Sequence, residues 1–110
     1  MASIYYGTSI KFGLELTAEG FSMNSDDFSL EATNGAQSVL GNKTNAGTDG
    51  NMIVYKDQQS DSWFVILNTL PFTSKGDLKL IATALIPDSY AQEAIRKEIA
   101  VQQIGRLINP

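Results

Sequence analysis

The 110-residue chain predicts a mostly β fold: an antiparallel β-sandwich of about seven short strands with at most one short helix near residues 89–95. Three observations carry this prediction. Apolar and polar residues alternate with period two in several stretches, turns containing Gly or Pro separate those stretches at modest spacing, and no series of ten-residue helical patterns intervenes as a βαβ fold would need.

The first stretch, residues 8–18, puts Ile10, Phe12, Leu14, Leu16 and Ala18 on one parity and Lys11, Gly13, Glu15 and Thr17 on the other. After a bend at Glu19-Gly20, residues 26–33 repeat the pattern with Phe28, Leu30 and Ala32 inward. The two read as consecutive antiparallel strands. Residues 34–51 carry Gly35, Gly41, Gly47 and Gly50 among Asn and Thr and read as a long loop, in which only Ser38 to Leu40 could pair as a short strand. Residues 52–57 and 62–69, joined by "QQSD", form a hairpin. Its second strand is apolar on both faces, with Trp63, Val65 and Leu67 on one side and Phe64 and Ile66 on the other, which makes it central or covered.

Pro71 ends that strand, and "TSKGD" turns the chain into "LKLIATALI" at 78–86, stopped by Pro87. A proline lacks the N–H a ladder needs, so its place is at strand ends. Ser89 with Gln92 three residues on matches a capping box, which predicts a helical turn from Ser89 to Ile95 before a last strand from about Lys97 to Ile108. There is no internal repeat or linker, so residues 1–110 read as one domain.

Composition narrows the chemistry. Hydrophobic residues at 43% and charged residues at 18% describe an ordinary globular domain. The longest apolar run, Trp63 to Leu67, is far below the ~20 residues of a membrane helix, so no membrane partner is expected. A net charge of −4 without a basic cluster argues against nucleic acid. Cysteine and histidine are both absent, which removes disulfides, thiolate and imidazole metal sites, and the Ser-His and Cys-His nucleophile pairs. No enzymatic activity, cofactor or metal is expected.

Individual candidates weaken on inspection. Adjacent Asp26 and Asp27 diverge to opposite faces of an extended chain and cannot flank a glycosidic bond together; Asp26 reads as a turn acceptor and Asp27 as an outward strand residue. The loop Asn45 to Asn51 is rich in oxygen donors but fails the calcium-loop spacing. "NKT" at Asn42 to Thr44 matches a glycosylation sequon, relevant only in a eukaryotic secretory context.

The apolar second faces are more informative. Phe64 and Ile66, with Ile81 and Leu85 on a strand expected nearby, form either a surface covered by a second sheet or by the C-terminal segment, or a patch for self-association. The segment with Ile4, Tyr5 and Tyr6 is either an edge strand of its own sheet or an arm added to a neighbour's.

Two longer stretches, "IKFGLELTAEGFSMNSDDFSLEA" and "ALIPDSYAQEAIRKEI", together resemble short β-sandwich proteins encoded in prophage-like clusters of gut anaerobes, which are similar to the N-terminal domains of phage upper-baseplate proteins. The matching residues are Gly20, Phe21, Met23, Asp26, Asp27 and Phe28, then Ile86, Pro87, Asp88, Arg96 and Glu98; the glycine of that pattern before "R-x-E" is replaced here by Ala94-Ile95. The resemblance implies a structural subunit of a tail or baseplate, made in the cytoplasm and incorporated into a particle, with copies of itself or other phage-type structural proteins as partners. It implies no catalytic residue. The alternative is a carbohydrate- or ligand-binding module presenting Tyr55, Trp63, Phe72 and Tyr90.

Overall fold

A computed structural model describes residues 3–43 and 50–108. The elements in order are β1 (Ser3–Tyr5), β2 (Ser9–Leu14), β3 (Asp27–Thr33), β4 (Ser38–Asn42), β5 (Met52–Asp57), β6 (Ser62–Asn68), β7 (Gly76–Pro87), a 3₁₀ turn (Gln92–Ala94) and β8 (Ile95–Ile108). They make a five-stranded sheet in the order β1-β8-β7-β3-β4 and a three-stranded sheet in the order β2-β6-β5.

Period-two alternation sets which side chains turn inward. Strand β7 alternates without a break, and its Leu78, Leu80, Ala82, Ala84 and Ile86 are all buried. Facing them across the core are Met52, Val65 and Leu67 of the small sheet, with Phe28, Leu30, Ala32, Val39 and Leu107 completing the same cluster. Burying each larger aliphatic or aromatic side chain contributes roughly 1.5–3 kcal/mol, so a slip of β7 by one residue would exchange this row for Lys79, Ile81, Thr83 and Leu85 and lose most of that energy. Strand β6 is the centre of its sheet, between β2 and β5, as its two apolar faces require.

Several expectations are corrected. β2 and β3 do not pair: β2 joins β6 and β3 joins β7 and β4, because residues 15–26 carry the chain from one sheet to the other. The first strand ends at Leu14, and Leu16 reaches the core from irregular chain. Gly20 takes φ +77 in the crossover, a conformation that suits a residue without Cβ. Eight strands form among the described residues, since β4 forms inside the expected loop; residues 44–49 of that loop, with most of the calcium-like segment, lie outside the described residues.

The sheet is also not wholly antiparallel. β1 runs parallel to β8, with Ser3, Ile4 and Tyr5 beside Arg106, Leu107 and Ile108. Of the two readings of the N-terminal segment, it is therefore an edge strand of its own molecule, with Ile4 buried. The expected helix shrinks to one 3₁₀ turn with no side-chain cap: Ala91 rather than Ser89 precedes it, and Glu93 and Ala94 both adopt φ 58. A left-handed pair of residues ends helical propagation at once, so β8 begins at Ile95.

Candidate interaction surface

The outer face of the large sheet follows from its registers. Leu40 lies opposite Glu31, Glu31 opposite Ile81, and Ile81 opposite Val101, one row across four strands. The next row runs Asn42, Ser29, Thr83 and Ile99, and the row after it Asp27, Leu85 and Lys97. Leu40 is 64% exposed, Ile99 70% and Val101 58%. Within this face the Glu31 carboxylate accepts a hydrogen bond of 2.7 Å from the Ser38 hydroxyl. An open groove beside it is lined by Thr83, Leu85, Glu93, Ile95, Lys97 and Ile99 among others.

The outer face of the small sheet has a different character. Tyr55 and Phe64 are cross-strand neighbours with ring centroids 5.8 Å apart, and the Lys11 ammonium lies 4.5 Å from the Phe64 centroid and 5.7 Å from that of Tyr55. Gly13 lies opposite Phe64, and nothing stands within 4 Å of where its Cβ would be. A hydrogen bond with Tyr55 and the charge of its oxygen raise the Lys11 pKa above the usual 10.5. Ile53 and Ile66 continue the face.

The expected interface residues are thus separated. Phe64 and Ile66 lie on the outside of the small sheet, Ile81 and Leu85 on the outside of the large one, with the whole core between them. Ile4 is buried, whereas Tyr5 and Tyr6 are exposed, and Tyr6 donates a hydrogen bond of 3.2 Å to the Leu70 carbonyl. Sequence reading missed Leu40, Ile95, Ile99 and Val101. Leu40 sat in an expected loop; the other three share odd parity with Lys97 along β8, a signal that was present but hidden by the charged run around it.

The four aromatics of the binding-module alternative do not converge. Phe72 is wholly buried and Tyr90 is 99% exposed. Trp63 turns inward, edge-on to Phe28 at 5.6 Å, and its indole N–H donates to Asn24 Oδ1 at 3.2 Å. Only Tyr55 stands on an outer face.

The acidic pair divides as its backbone geometry requires. Asp26 Oδ2 accepts the Ser22 N–H at 2.8 Å, closing the turn before β3, and Asp27 Oδ1 accepts the Phe28 N–H at 2.9 Å. Among the described residues no group of three or more Asp and Glu is placed to hold a metal ion, and no buried side-chain polar atom lacks a hydrogen-bond partner. No helix among them is long and apolar enough to cross a membrane. No family model, curated protein or solved structure matches the chain.

Proposed function

We propose that this protein is a non-enzymatic assembly subunit, of the prophage tail or baseplate kind, which works through protein–protein contacts. The observation that supports this reading is the apolar cluster on the outer face of the large sheet, where half-buried Ile81 lies opposite exposed Val101, with Ile99 and Leu85 beside them and Leu40 across Glu31. Isolated exposed apolar side chains are ordinary, but several grouped on one sheet face are the kind of feature that marks an interaction surface. The resemblance to phage structural proteins supplies the kind of assembly.

Light scattering of the purified chain at micromolar concentration tests the reading. Particles heavier than the monomer are expected, and Leu40→Asp and Ile81→Asp are expected to reduce them while thermal melting stays cooperative. A monomer under all conditions, in a gene neighbourhood without tail or fibre genes, overturns it.

A second reading rests on the Tyr55–Phe64 pair with Lys11 above it, a platform of the kind on which a sugar ring can stack. A glycan array that gives binding lost in Tyr55→Ala supports that alternative.

A further inference from the structure

We infer that the open edge of β8 pairs with β8 of a second copy of this chain, antiparallel about a two-fold axis at Ile99, joining two five-stranded sheets into one of ten. This pairing rests on the assembly role proposed above and adds an edge contact to the face contact of Leu40 and Ile81.

Strand β8 is the longest in the protein at 14 residues, and β1 covers only Arg106, Leu107 and Ile108 of its outer edge. Among the described residues no strand pairs with the edge from Ile95 to Gly105. The hydrogen-bonding parity of that edge follows from one bond. The Asp88 N–H donates to the Ala94 carbonyl at 3.0 Å, in register with Pro87 opposite Ile95. Antiparallel ladders alternate, so Arg96, Glu98, Ala100 and Gln102 turn their N–H and C=O groups toward β7, and Ile95, Lys97, Ile99, Val101 and Gln103 turn theirs to the open side. The same alternation explains how Pro87 fits in β7: at a pair without cross-strand bonds its missing N–H costs nothing.

Such an edge is a template for another strand, and proteins ordinarily blunt theirs with proline, shortness, a bulge or charged side chains; here the charges are Arg96 and Glu98, which pair with each other, and Lys97. The one irregularity in β8 lies opposite Leu78 and Lys79, beyond Gln103, and switches the bonding side where β1 begins. The stretch from Ile95 to Gln103 is regular and contains no proline.

The choice of a second copy over another partner comes from charge and register. A two-fold axis normal to the sheet keeps each face, so positions pair symmetrically about one central residue. Centring on Lys97 or Glu98 sets like charges directly opposite each other. Centring on Ala100 places Ile95 against Gly105, and centring on Val101 places Lys97 there, in both cases past the switch in bonding side. Centring on Ile99 pairs Ile95 with Gln103, Lys97 with Val101, and Ile99 with itself, so every open residue of the regular stretch finds a partner. On the other face Arg96 meets Gln102 and Glu98 meets Ala100. Arg96 is already neutralised within its own chain, at 3.4 Å from Asp88 and 3.2 Å from Glu98, so no charge is left facing its like. The most exposed aliphatic side chain of the outer face, Ile99, then lies on the axis and is covered by its own copy.

The test uses the full chain. Sedimentation of the wild type is expected to give twice the 11.9 kDa chain mass at high micromolar concentration, and residue-resolved amide exchange is expected to show Lys97, Ile99 and Val101 protected there and fast on dilution, with Glu98 and Ala100 protected throughout. Ile99→Lys and Ile99→Glu are each expected to be monomeric, since each sets like charges on the axis, and their equimolar mixture is expected to recover the dimer. Val101→Pro removes an N–H that the monomer does not use, and is expected to abolish the dimer with little change in melting temperature. An assembly in which the odd-numbered amides stay fast, or in which the Ile99→Lys and Ile99→Glu chains fail to recombine, overturns the edge pairing and leaves the assembly role standing. A monomer at every concentration overturns the edge pairing, and together with a gene neighbourhood without tail or fibre genes it overturns the assembly role as well.

Discussion

Gly41 of β4 lies so close against Met52 of β5 that a β-carbon built on it would stand 3.1 Å from Met52 Cγ and nearer still to the sulfur. This contact is where the two sheets meet at the β4–β5 corner. Met52 is fully buried, so its flexible side chain has nowhere to retreat. Gly41→Ala is therefore expected to cost about 1–3 kcal/mol as overpacking, whatever Ala gains in backbone entropy. Urea denaturation measures it, and Met52→Ala in the same background is expected to return part of the loss.

Thr69 anchors the start of the chain. Its hydroxyl accepts the Gly7 N–H at 2.9 Å and donates to the Thr8 carbonyl at 2.6 Å, while its own N–H donates to the same carbonyl at 3.1 Å. Thr69→Val keeps the shape and leaves the Gly7 N–H without its acceptor. A loss of about 1–3 kcal/mol is expected, with faster amide exchange at Gly7 than in the wild type.

Phe28 and Trp63 bring β3 and β6 together between the two sheets, nearly perpendicular at 85°. Phe28 is wholly buried, so Phe28→Ala is expected to cost about 3–5 kcal/mol and to shift Trp63 fluorescence to the red as water reaches the ring. Asn24→Ala removes only the indole's hydrogen-bond acceptor and is expected to leave most of the stability in place.

Lys11 makes one contribution to stability that depends on alkaline pH. Its pKa is raised in the folded state, chiefly by the hydrogen bond with Tyr55, so its contribution is fully present below the unfolded value and is lost as pH rises through the folded one. Stability is expected to be insensitive to Lys11 up to its ordinary 10.5 and to fall above it. In Lys11→Met and Tyr55→Phe that part of the alkaline decline is expected to disappear; chemical denaturation between neutral and strongly alkaline pH measures it.

The residues themselves determined the class of fold and the inward faces. Alternation placed Phe28, Leu30 and Ala32, and Leu78 through Ile86, on the core side, because a strand turns successive side chains to opposite faces whatever it pairs with. The β5–β6 hairpin and the turn acceptor Asp26 were legible for the same reason: each depends on residues close in sequence. Tertiary structure alone decided partnership. Backbone hydrogen bonds do not distinguish one strand from another, so nothing local told β2 to leave β3 for β6, or β1 to run parallel to β8. That long-range choice put Phe64 and Ile66 on the outer face of the small sheet and Ile81 and Leu85 on that of the large one. It also left β8, whose odd-numbered apolar residues had looked like part of a charged run, as the exposed edge of the large sheet.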